Sequence, residues 1–409
     1  MISYIGLSHL SLSYAASALV LGNKVLILDF DEQIKLYKKK KLNFFEPGLE
    51  KILIKFKQNL EISSDFKKLK LSKIIFLAKD IKTDDNNNVL LNETNSLLRK
   101  INYLRNKKIL VIMNQVPVGF TRKIKWKKDN LYHFVETLVF GNSINRAINP
   151  ERIIIGKITD KKKISRILLN FLKLYKCNII ELNYEESELS KNFINIYLAS
   201  QLMTTNFLSE ISNFYNARWN KIMDAIKLDK RIGKNGYYKP GLGISGGNIE
   251  RDIQTLKKIS VKKNIHNKLP EFLINSNSYY KNWIKRIILK EKKNKNNIGI
   301  LGLTYKDNTL SIKNAPQIKL IKSFKKNINL HDTKSERLAN LSDTKKFLDK
   351  FKDLNFILNN SETIIVFHNL LIYKKIKFYK YKNIKYVIDP FGFINKKKIG
   401  KIKYYNLSS

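Results

Sequence analysis

Cysteine is nearly absent from this chain of 409 residues, in which Cys177 is the single thiol. One cysteine excludes an intramolecular disulfide and a zinc site built from several cysteines. The five histidines lie far apart in the sequence and do not have metal-ligand spacing, so we expect no metal ion.

Long hydrophobic runs are missing as well. No apolar stretch has the length that spans a lipid bilayer. The first apolar stretch, residues 10–21, has no basic segment before it and follows a strand pattern, which indicates a core helix. We therefore expect a cytoplasmic protein with no membrane partner.

Acidic residues are scarce: 34 Asp and Glu stand against 78 Lys and Arg, which gives a formal net charge of +44. Such a charge raises the hypothesis of nucleic-acid binding. The lysines are, however, spread along the whole chain, and Asn and Ile are abundant while Ala, Gly and Pro are few. The drift of an AT-rich genome produces this joint bias, whereas phosphate binding needs clustered charge. We favour drift; nucleic-acid binding stays as an alternative that requires the lysines to gather on one face.

The order of apolar and polar segments predicts an α/β protein. The first 30 residues read as strand, tight turn, helix and strand, and further buried strands are predicted at residues 74–78, 109–113 and 177–182. Such alternation is typical of a doubly wound sheet. A helix without Gly or Pro is predicted from about residue 185 to 216, and a polar linker at residues 290–297 precedes a second set of strands near 298–301, 328–330, 363–367 and 386–388. We predict a Rossmann-like domain at residues 1–184, a central helical domain at 185–289 and a C-terminal Rossmann-like domain at 298–409.

The turn after the first strand carries part of a dinucleotide fingerprint. Gly6, Ser8 and Ser11 occupy the three glycine positions of G-x-G-x-x-G, and Asp29 ends the second strand, where a carboxylate binds ribose hydroxyls. Serine adds bulk where the backbone approaches the pyrophosphate, although its hydroxyl can donate to phosphate. The pattern alone is equally compatible with an α/β turn that binds nothing.

Further short motifs follow in a fixed order. They are Glu46-Pro47-Gly48, Val116-Pro117-Val118-Gly119, Asn149-Pro150-Glu151-Arg152, Ser187 to Lys191 with Asn195, Arg231-Ile232-Gly233, Lys239 to Gly247 with Asp252, and Gly302 to Thr309 with Ala315-Pro316. This ordered set resembles the UDP-glucose/GDP-mannose dehydrogenase family over residues 1 to about 390. The resemblance implies NAD as cofactor, a homodimer formed through the central helix, and a C-terminal domain that helps to hold a UDP-sugar or a related sugar nucleotide. Members of that family oxidise a sugar C6 alcohol to a carboxylate with two hydride transfers, through a thioester on a cysteine.

The resemblance assigns roles to residues that match the family motifs. Lys191 matches the catalytic lysine, which stabilises negative charge on the reacting oxygen. Asn195 lies four residues later, on the same face of the helix, and Asp252 matches the carboxylate associated with the catalytic water or lysine. The substrate-binding positions are Arg231, which is expected to reach the neighbouring subunit, Lys239, Gly243, Lys306 and Lys313. For each lysine the alternative is a solvated surface charge.

Several positions depart from the family pattern. Asn248 takes the place of the cysteine, and an amide cannot form a thioester. Phe140 takes the place of the general-base glutamate, and Glu136 matches a different family glutamate, so we do not count it as a replacement. Cys177 is expected to be an inert packing residue in an apolar strand. The remaining departures are Gln115 for a threonine, Leu310 and Ser311 for two acids, and Lys313 for an arginine.

Three hypotheses about activity follow: a complete NAD-dependent nucleotide-sugar dehydrogenase, a member restricted to one hydride transfer, and a non-catalytic protein that binds a sugar nucleotide. The loss of the cysteine, the glutamate and two fingerprint glycines favours the second and third.

Overall fold

The computed structural model describes residues 1–39, 44–84, 88–291, 297–324, 328–341 and 343–407. The chain forms two compact units, residues 1–194 and 195–409. The predicted linker at residues 290–297 lies for the most part outside the described residues. The three-domain division that we predicted stays a prediction.

The first unit is built on an eight-stranded sheet in the order β3-β2-β1-β4-β5-β6-β7-β8. All neighbouring strands are parallel except β6 and β7, which are antiparallel. The strands are β1 (Ile2–Ile5), β2 (Val25–Leu28), β3 (Leu60–Ser63), β4 (Ile74–Leu77), β5 (Ile109–Ile112), β6 (Leu131–Phe134), β7 (Arg152–Lys157) and β8 (Asn178–Asn183). Helices connect them: α1 (His9–Val20), α2 (Asp31–Lys38), α3 (Leu49–Lys55), α4 (Asn92–Ile101), α5 (Phe120–Lys123), α6 (Ser143–Ile148) and α7 (Arg166–Lys173).

The centre of this sheet is covered on both faces. All four residues of β1, β2, β4 and β5 are buried. On one face Tyr4 stacks on Phe76 with ring centroids 5.0 Å apart, and on the other Ile5 packs in a separate apolar cluster. Continuous apolar strands are needed here because a parallel sheet carries helices on both sides. The predicted doubly wound fold is confirmed, and residues 10–21 belong to a core helix, since α1 is buried from His9 to Leu19.

One long helix, α8 (Tyr184–Phe214), follows β8. It begins with a capping box in which the side-chain Oδ1 of Asn183 accepts from the N–H of Glu186 at 3.0 Å and the Glu186 carboxylate accepts from the N–H of Asn183 at 2.9 Å. The boundary between the two units falls between Ile194 and Asn195, within this helix.

The second unit combines helices with a five-stranded parallel sheet in the order β10-β9-β11-β12-β13. Its strands are β9 (Ile298–Leu301), β10 (Ile328–His331), β11 (Thr363–Val366), β12 (Tyr386–Ile388) and β13 (Lys403–Tyr405). Its helices after α8 are α9 (Trp219–Leu228), α10 (Asn248–Lys262), α11 (Lys268–Lys281), α12 (Trp283–Lys290), α13 (Pro316–Ser323), α14 (Ser335–Ala339), α15 (Leu354–Asn360) and α16 (Leu371–Lys374). Short 3₁₀ segments lie at Lys57–Asn59, Phe66–Leu71, Asn102–Leu104, Lys128–Asn130, Lys345–Lys350, Phe378–Lys380 and Lys396–Lys398.

The prediction of a buried strand at residues 177–182 was wrong about burial. The strand β8 lies at the edge of the first sheet, and three of its six residues are exposed. Cys177 precedes this strand and is partly buried. A strand at the edge of a sheet lies at the margin of the layers that cover the central strands, so its side chains can remain exposed.

Candidate functional site

The turn after β1 fixes the carboxyl edge of the first sheet. Gly6 has φ of +114°, and its N–H donates to the carbonyl oxygen of Leu28 at 2.7 Å. A Cβ atom at this position would lie 2.8 Å from the Cα of Lys79. Glycine is therefore required both by the left-handed backbone and by the close approach of the Lys79 backbone.

Ser8 and Ser11 hold the first turn of α1 together. Ser8 is the N-cap: its Oγ accepts from the N–H of Ser11 at 3.3 Å, and the Ser11 Oγ accepts from the N–H of Ser8 at 3.1 Å. The Ser8 hydroxyl donates to the carbonyl oxygen of Ala78 at 2.7 Å, and the Ser11 hydroxyl donates to that of Gly6. The two serines are buried. Their hydroxyl hydrogens are thus engaged by the turn itself.

Asp29 lies at the end of β2, where the sequence places a ribose-binding carboxylate, and it is fully buried. Its Oδ2 accepts from the N–H of Leu7 at 2.6 Å and from the Lys79 ammonium at 2.7 Å, and its Oδ1 accepts from the N–H of Phe30 at 2.8 Å. Lys79 also lies 3.1 Å from a carboxylate oxygen of Glu93. Sequence reasoning missed Lys79, although its position directly after the buried strand β4 was a usable signal.

Phe140, at the position of the family's general base, belongs to an aromatic cluster. It stacks on His9 with ring centroids 4.0 Å apart. The His9 Nε2 lies 2.8 Å from Glu46, whose carboxylate also accepts from the N–H groups of Gly141 and Ser143, each at 2.9 Å. Burial alone would raise the pKa of Glu46, but these hydrogen bonds lower it below its ordinary value. The Glu-Pro-Gly motif therefore holds the loop that carries Phe140.

Lys191 projects from α8 into a narrow pocket of the first unit. Its ammonium pairs with Glu136 at 2.8 Å, and both side chains are largely buried. The pocket is also lined by Gln115, His133 and Glu188. Sequence reasoning did not count Glu136 as a catalytic candidate, yet the structure places it against the predicted catalytic lysine.

Glu188 anchors α8 to the Val-Pro-Val-Gly motif. Its carboxylate accepts from the N–H of Gly119 at 2.5 Å and from that of Thr121 at 2.9 Å. Burial raises the pKa of Glu188, while these hydrogen bonds oppose the rise. The motif thus fixes the helix turn from which Lys191 projects.

In the second unit, Asn195 and Asp252 meet. The Asn195 amide donates to the Asp252 carboxylate at 2.5 Å, and the Arg251 Nε lies 3.5 Å from the same carboxylate. Asn195 and Asp252 are buried. Asn248 is the first residue of α10 and is exposed. The helix α10 therefore carries both Asn248 and, one turn later, Asp252.

The glycine-rich segment contacts the loop after β9. The N–H of Gly246 donates to the carbonyl oxygen of Lys313 at 3.1 Å, and a Cβ atom on Gly247 would lie 3.2 Å from the Lys313 side chain. Gly243 has φ of +77°, and a Cβ there would lie 2.4 Å from the Asn277 side-chain oxygen. Of the five predicted substrate-binding residues, Gly243 thus lies within this segment and Lys313 packs against it.

The other three predicted substrate-binding residues are exposed. The Lys239 ammonium lies 5.0 Å from the ring centroid of Phe393, and that of Lys306 lies 5.9 Å from that of Tyr305. Arg231 pairs with Asp229 at 2.6 Å, and its side chain is 89% exposed.

The turn after β9 repeats the arrangement of the turn after β1. Gly302 has φ of +100°, and the N–H of Leu303 donates to Asp332 at 2.9 Å. A Cβ atom on Gly302 would lie 2.4 Å from the His368 ring, as one on Gly6 would meet Lys79. Burial lowers the pKa of His368, which favours its neutral form. Each sheet therefore has a glycine turn after its first strand. A carboxylate follows the neighbouring strand on one side, and a basic side chain follows the neighbouring strand on the other side.

A parallel sheet with a glycine turn, a helix N-terminus and a carboxylate at the switch in strand order is typical of dinucleotide-binding α/β proteins. The family model for the "UDP-glucose/GDP-mannose dehydrogenase family, NAD binding domain" matches residues 1–178, and that for the central domain of the same family matches residues 185–279. The chain belongs to this family, which confirms the resemblance seen in the sequence. Family members are NAD-dependent oxidoreductases that act on a CH–OH group of a sugar.

Relatives and solved structures agree with this membership. The UDP-glucose 6-dehydrogenase TuaD of Bacillus subtilis is 26% identical over 336 residues, covering 78% of this chain and 72% of its own. A UDP-glucose 6-dehydrogenase of Campylobacter jejuni is 28% identical over 331 residues, covering 78% and 81%. A UDP-glucose dehydrogenase from Pyrobaculum islandicum has the same fold, with a TM-score of 0.83 at 19% identity over 100% of this chain and 97% of its own.

The matched domain indicates NAD as the cofactor. Gly6, α1 and Asp29 have the placement that NAD requires, but the polar atoms of Asp29 are engaged by Lys79 and by backbone N–H groups. The fit of this site to NAD is therefore incomplete in the conformation seen here.

Two other predictions concern absences. Within the described ranges, no helix combines the length and the apolar character that crossing a membrane requires. Among the same residues, no cluster of three or more His, Cys, Asp or Glu side chains is arranged to hold a metal ion.

Proposed function

We propose that this chain binds NAD and a UDP-sugar but does not catalyse the complete oxidation of the sugar C6 alcohol to a carboxylate. The observation that supports this proposal is Asn248 at the cysteine position, because an amide forms neither a thiohemiacetal nor a thioester. Cys177 does not replace that cysteine: burial raises the pKa of its thiol, which leaves it protonated and weakly nucleophilic.

A single hydride transfer, with an aldehyde as the oxidised product, is the second candidate. It is favoured by the Lys191–Glu136 pair, which offers an ammonium and a carboxylate 2.8 Å apart in one pocket. Lys191 would stabilise negative charge on the sugar C6 oxygen, and Glu136 would accept the hydroxyl proton. NAD, when bound, supplies a hydride acceptor in this family. This step needs no thiol.

The predicted sites in the second unit are part of the same proposal. Asn195 and Asp252 would position the reacting group, and Lys239, Gly243, Lys306 and Lys313 would bind the sugar nucleotide. The contacts of Lys313 with Gly246 and Gly247 support this assignment, because they place a lysine beside the segment that carries Asn248. The exposure of Arg231 suits its predicted role towards a neighbouring subunit.

The oxidation state of the product tests the proposal. Purified protein would be incubated with UDP-glucose and NAD, with and without an aldehyde-trapping reagent, and the nucleotides would be analysed by mass spectrometry. We expect no UDP-glucuronate. NADH together with a trapped aldehyde would support single hydride transfer. Both products should be absent when Lys191→Ala replaces the wild type. UDP-glucuronate that the wild type forms and Lys191→Ala does not would contradict the proposal.

The predicted homodimer is also part of the proposed function. Within the second unit, α8 exposes apolar side chains at helical spacing, among them Phe207, Ile211 and Phe214. A second copy of this chain would cover them and bury apolar area. We expect Phe207→Asp/Phe214→Asp to shift the mass measured by light scattering from dimer to monomer, while Lys221→Asp should not. A monomeric wild type would contradict this part of the proposal.

A further inference from the structure

The dinucleotide crevice of the first unit lies where the strand order reverses. The carboxyl end of β1 has β2 on one side and β4 on the other, and ligands of doubly wound sheets bind in the crevice at such a point. Lys79 and Asp80 follow β4 directly. One cationic and one anionic side chain therefore belong to the segment at this crevice.

The Lys79 ammonium lies at Asp29, where a ligand hydroxyl would bind. It donates to Asp29 at 2.7 Å, and only 6% of the residue is exposed. Its backbone and the first part of its side chain lie within 3.0 Å of the place where a Cβ on Gly6 would be. In a dinucleotide site the carboxylate at the end of β2 receives the hydroxyls of the adenosine ribose. Here an ammonium of the same chain lies at that carboxylate.

Asp80 lies near a second ligand position, the N-terminus of α1. The hydroxyl of Ser8, the N-cap of this 12-residue helix, donates to the carbonyl oxygen of Ala78, two residues before Asp80, at 2.7 Å. Free N–H groups and the helix dipole make such an N-terminus a binding site for phosphate. Asp80 is exposed to solvent. A carboxylate of the same chain therefore follows the backbone segment that contacts the phosphate-binding end of α1.

We propose that Lys79 and Asp80 act as an internal competitor for the adenosine-ribose and pyrophosphate part of NAD. The cofactor then binds only in the fraction of molecules in which these two side chains have moved away, and its apparent affinity falls by that fraction. The inference rests on the family's NAD site but not on turnover or on the acid-forming step. It identifies Lys79 as the residue that sets cofactor affinity.

Calorimetric titration with ADP-ribose, which carries the adenosine ribose and the pyrophosphate, tests this inference. We expect Lys79→Ala to bind ADP-ribose and NAD about tenfold more tightly than the wild type, since the competing ammonium is gone. Nicotinamide mononucleotide lacks the adenosine ribose, and its affinity should not change. Lys68→Ala is the matched control, because it removes a lysine from an exposed ion pair with Glu61 in the same unit.

A second variant and a second measurement guard against poor folding of Lys79→Ala, in which Asp29 loses a charged partner. Asp80→Asn changes an exposed side chain and removes the anion near the helix N-terminus, so we expect ADP-ribose to bind several-fold more tightly. For each variant, the rise in melting temperature with ADP-ribose reports binding independently of calorimetry.

Two results would overturn the inference. Weaker or unchanged binding of ADP-ribose by folded Lys79→Ala and by Asp80→Asn would mean that these side chains serve the ligand or are irrelevant to it. An equal gain for nicotinamide mononucleotide would place the effect outside the adenosine half. Neither result depends on whether the wild type makes aldehyde or acid, so the proposed function is tested separately.

Discussion

Replacing Asp29 with alanine is expected to lower the free energy of unfolding by about 3 kcal/mol. The carboxylate is fully buried, and its removal leaves the buried Lys79 ammonium without its nearest anion. The N–H groups of Leu7 and Phe30 lose their acceptor at the same time. The expected loss lies at the lower end for a broken buried pair because Glu93 remains 3.1 Å from the ammonium. Denaturant unfolding at neutral pH measures it.

The double variant Asp29→Ala/Lys79→Ala separates the charge from the packing. If the cost arises from an uncompensated cation, removing that cation should restore part of the lost stability. A double variant whose destabilisation equals the sum of the two single losses would contradict this explanation. The result also bears on the cofactor, since a large coupling energy means that NAD must break a strong internal contact to reach Asp29.

The layout of the first sheet could be predicted from the sequence because its central strands are continuous apolar runs. β2 and β5 are buried on both faces, and their residues are Val, Leu and Ile throughout. The strand β3 was missed: its residues are half-buried or exposed, and the segment Leu-Glu-Ile-Ser has no apolar run. A strand whose partners come from elsewhere in the chain leaves little local signal when it lies at the edge of a sheet.

The candidate site was predictable only in part. The spacing of Lys191 and Asn195 on one helix follows from the sequence, since residues four apart share a helix face. The pairing of Lys191 with Glu136 does not, because 55 positions separate them and only the folded sheet brings them together. The engagement of Asp29 by Lys79 was hidden for the same reason. A motif predicts which residue types are present, whereas the partners of a buried charge depend on tertiary packing.

The first unit is expected to lose about 3 kcal/mol of stability through His133 as the pH falls from about 7 to about 4. This residue is buried on β6, where its Nδ1 lies 2.8 Å from the Ser187 hydroxyl. Burial lowers the pKa of His133 from 6.5 to about 4, although a hydrogen bond to the Asn114 backbone opposes the shift. Below pH 6.5 the unfolded chain therefore binds a proton that the folded chain refuses, and protonation favours unfolding. The stabilising contribution is complete above this pH and is lost on the way down to about 4.

His133→Gln supplies the control, because an amide keeps hydrogen-bonding groups but does not titrate in this range. Unfolding free energies of both proteins, measured at several pH values, should converge as the pH falls, since only the wild type gains a proton at this position on unfolding. Burial also lowers the pKa of His331 and His368 in the second unit, so part of the slope should persist in the variant. Parallel curves for the two proteins would mean that His133 is protonated in the folded state as readily as in the unfolded chain. Because His133 lines the pocket of Lys191 and Glu136, that outcome would also mean that water reaches this pocket more freely than its packing implies.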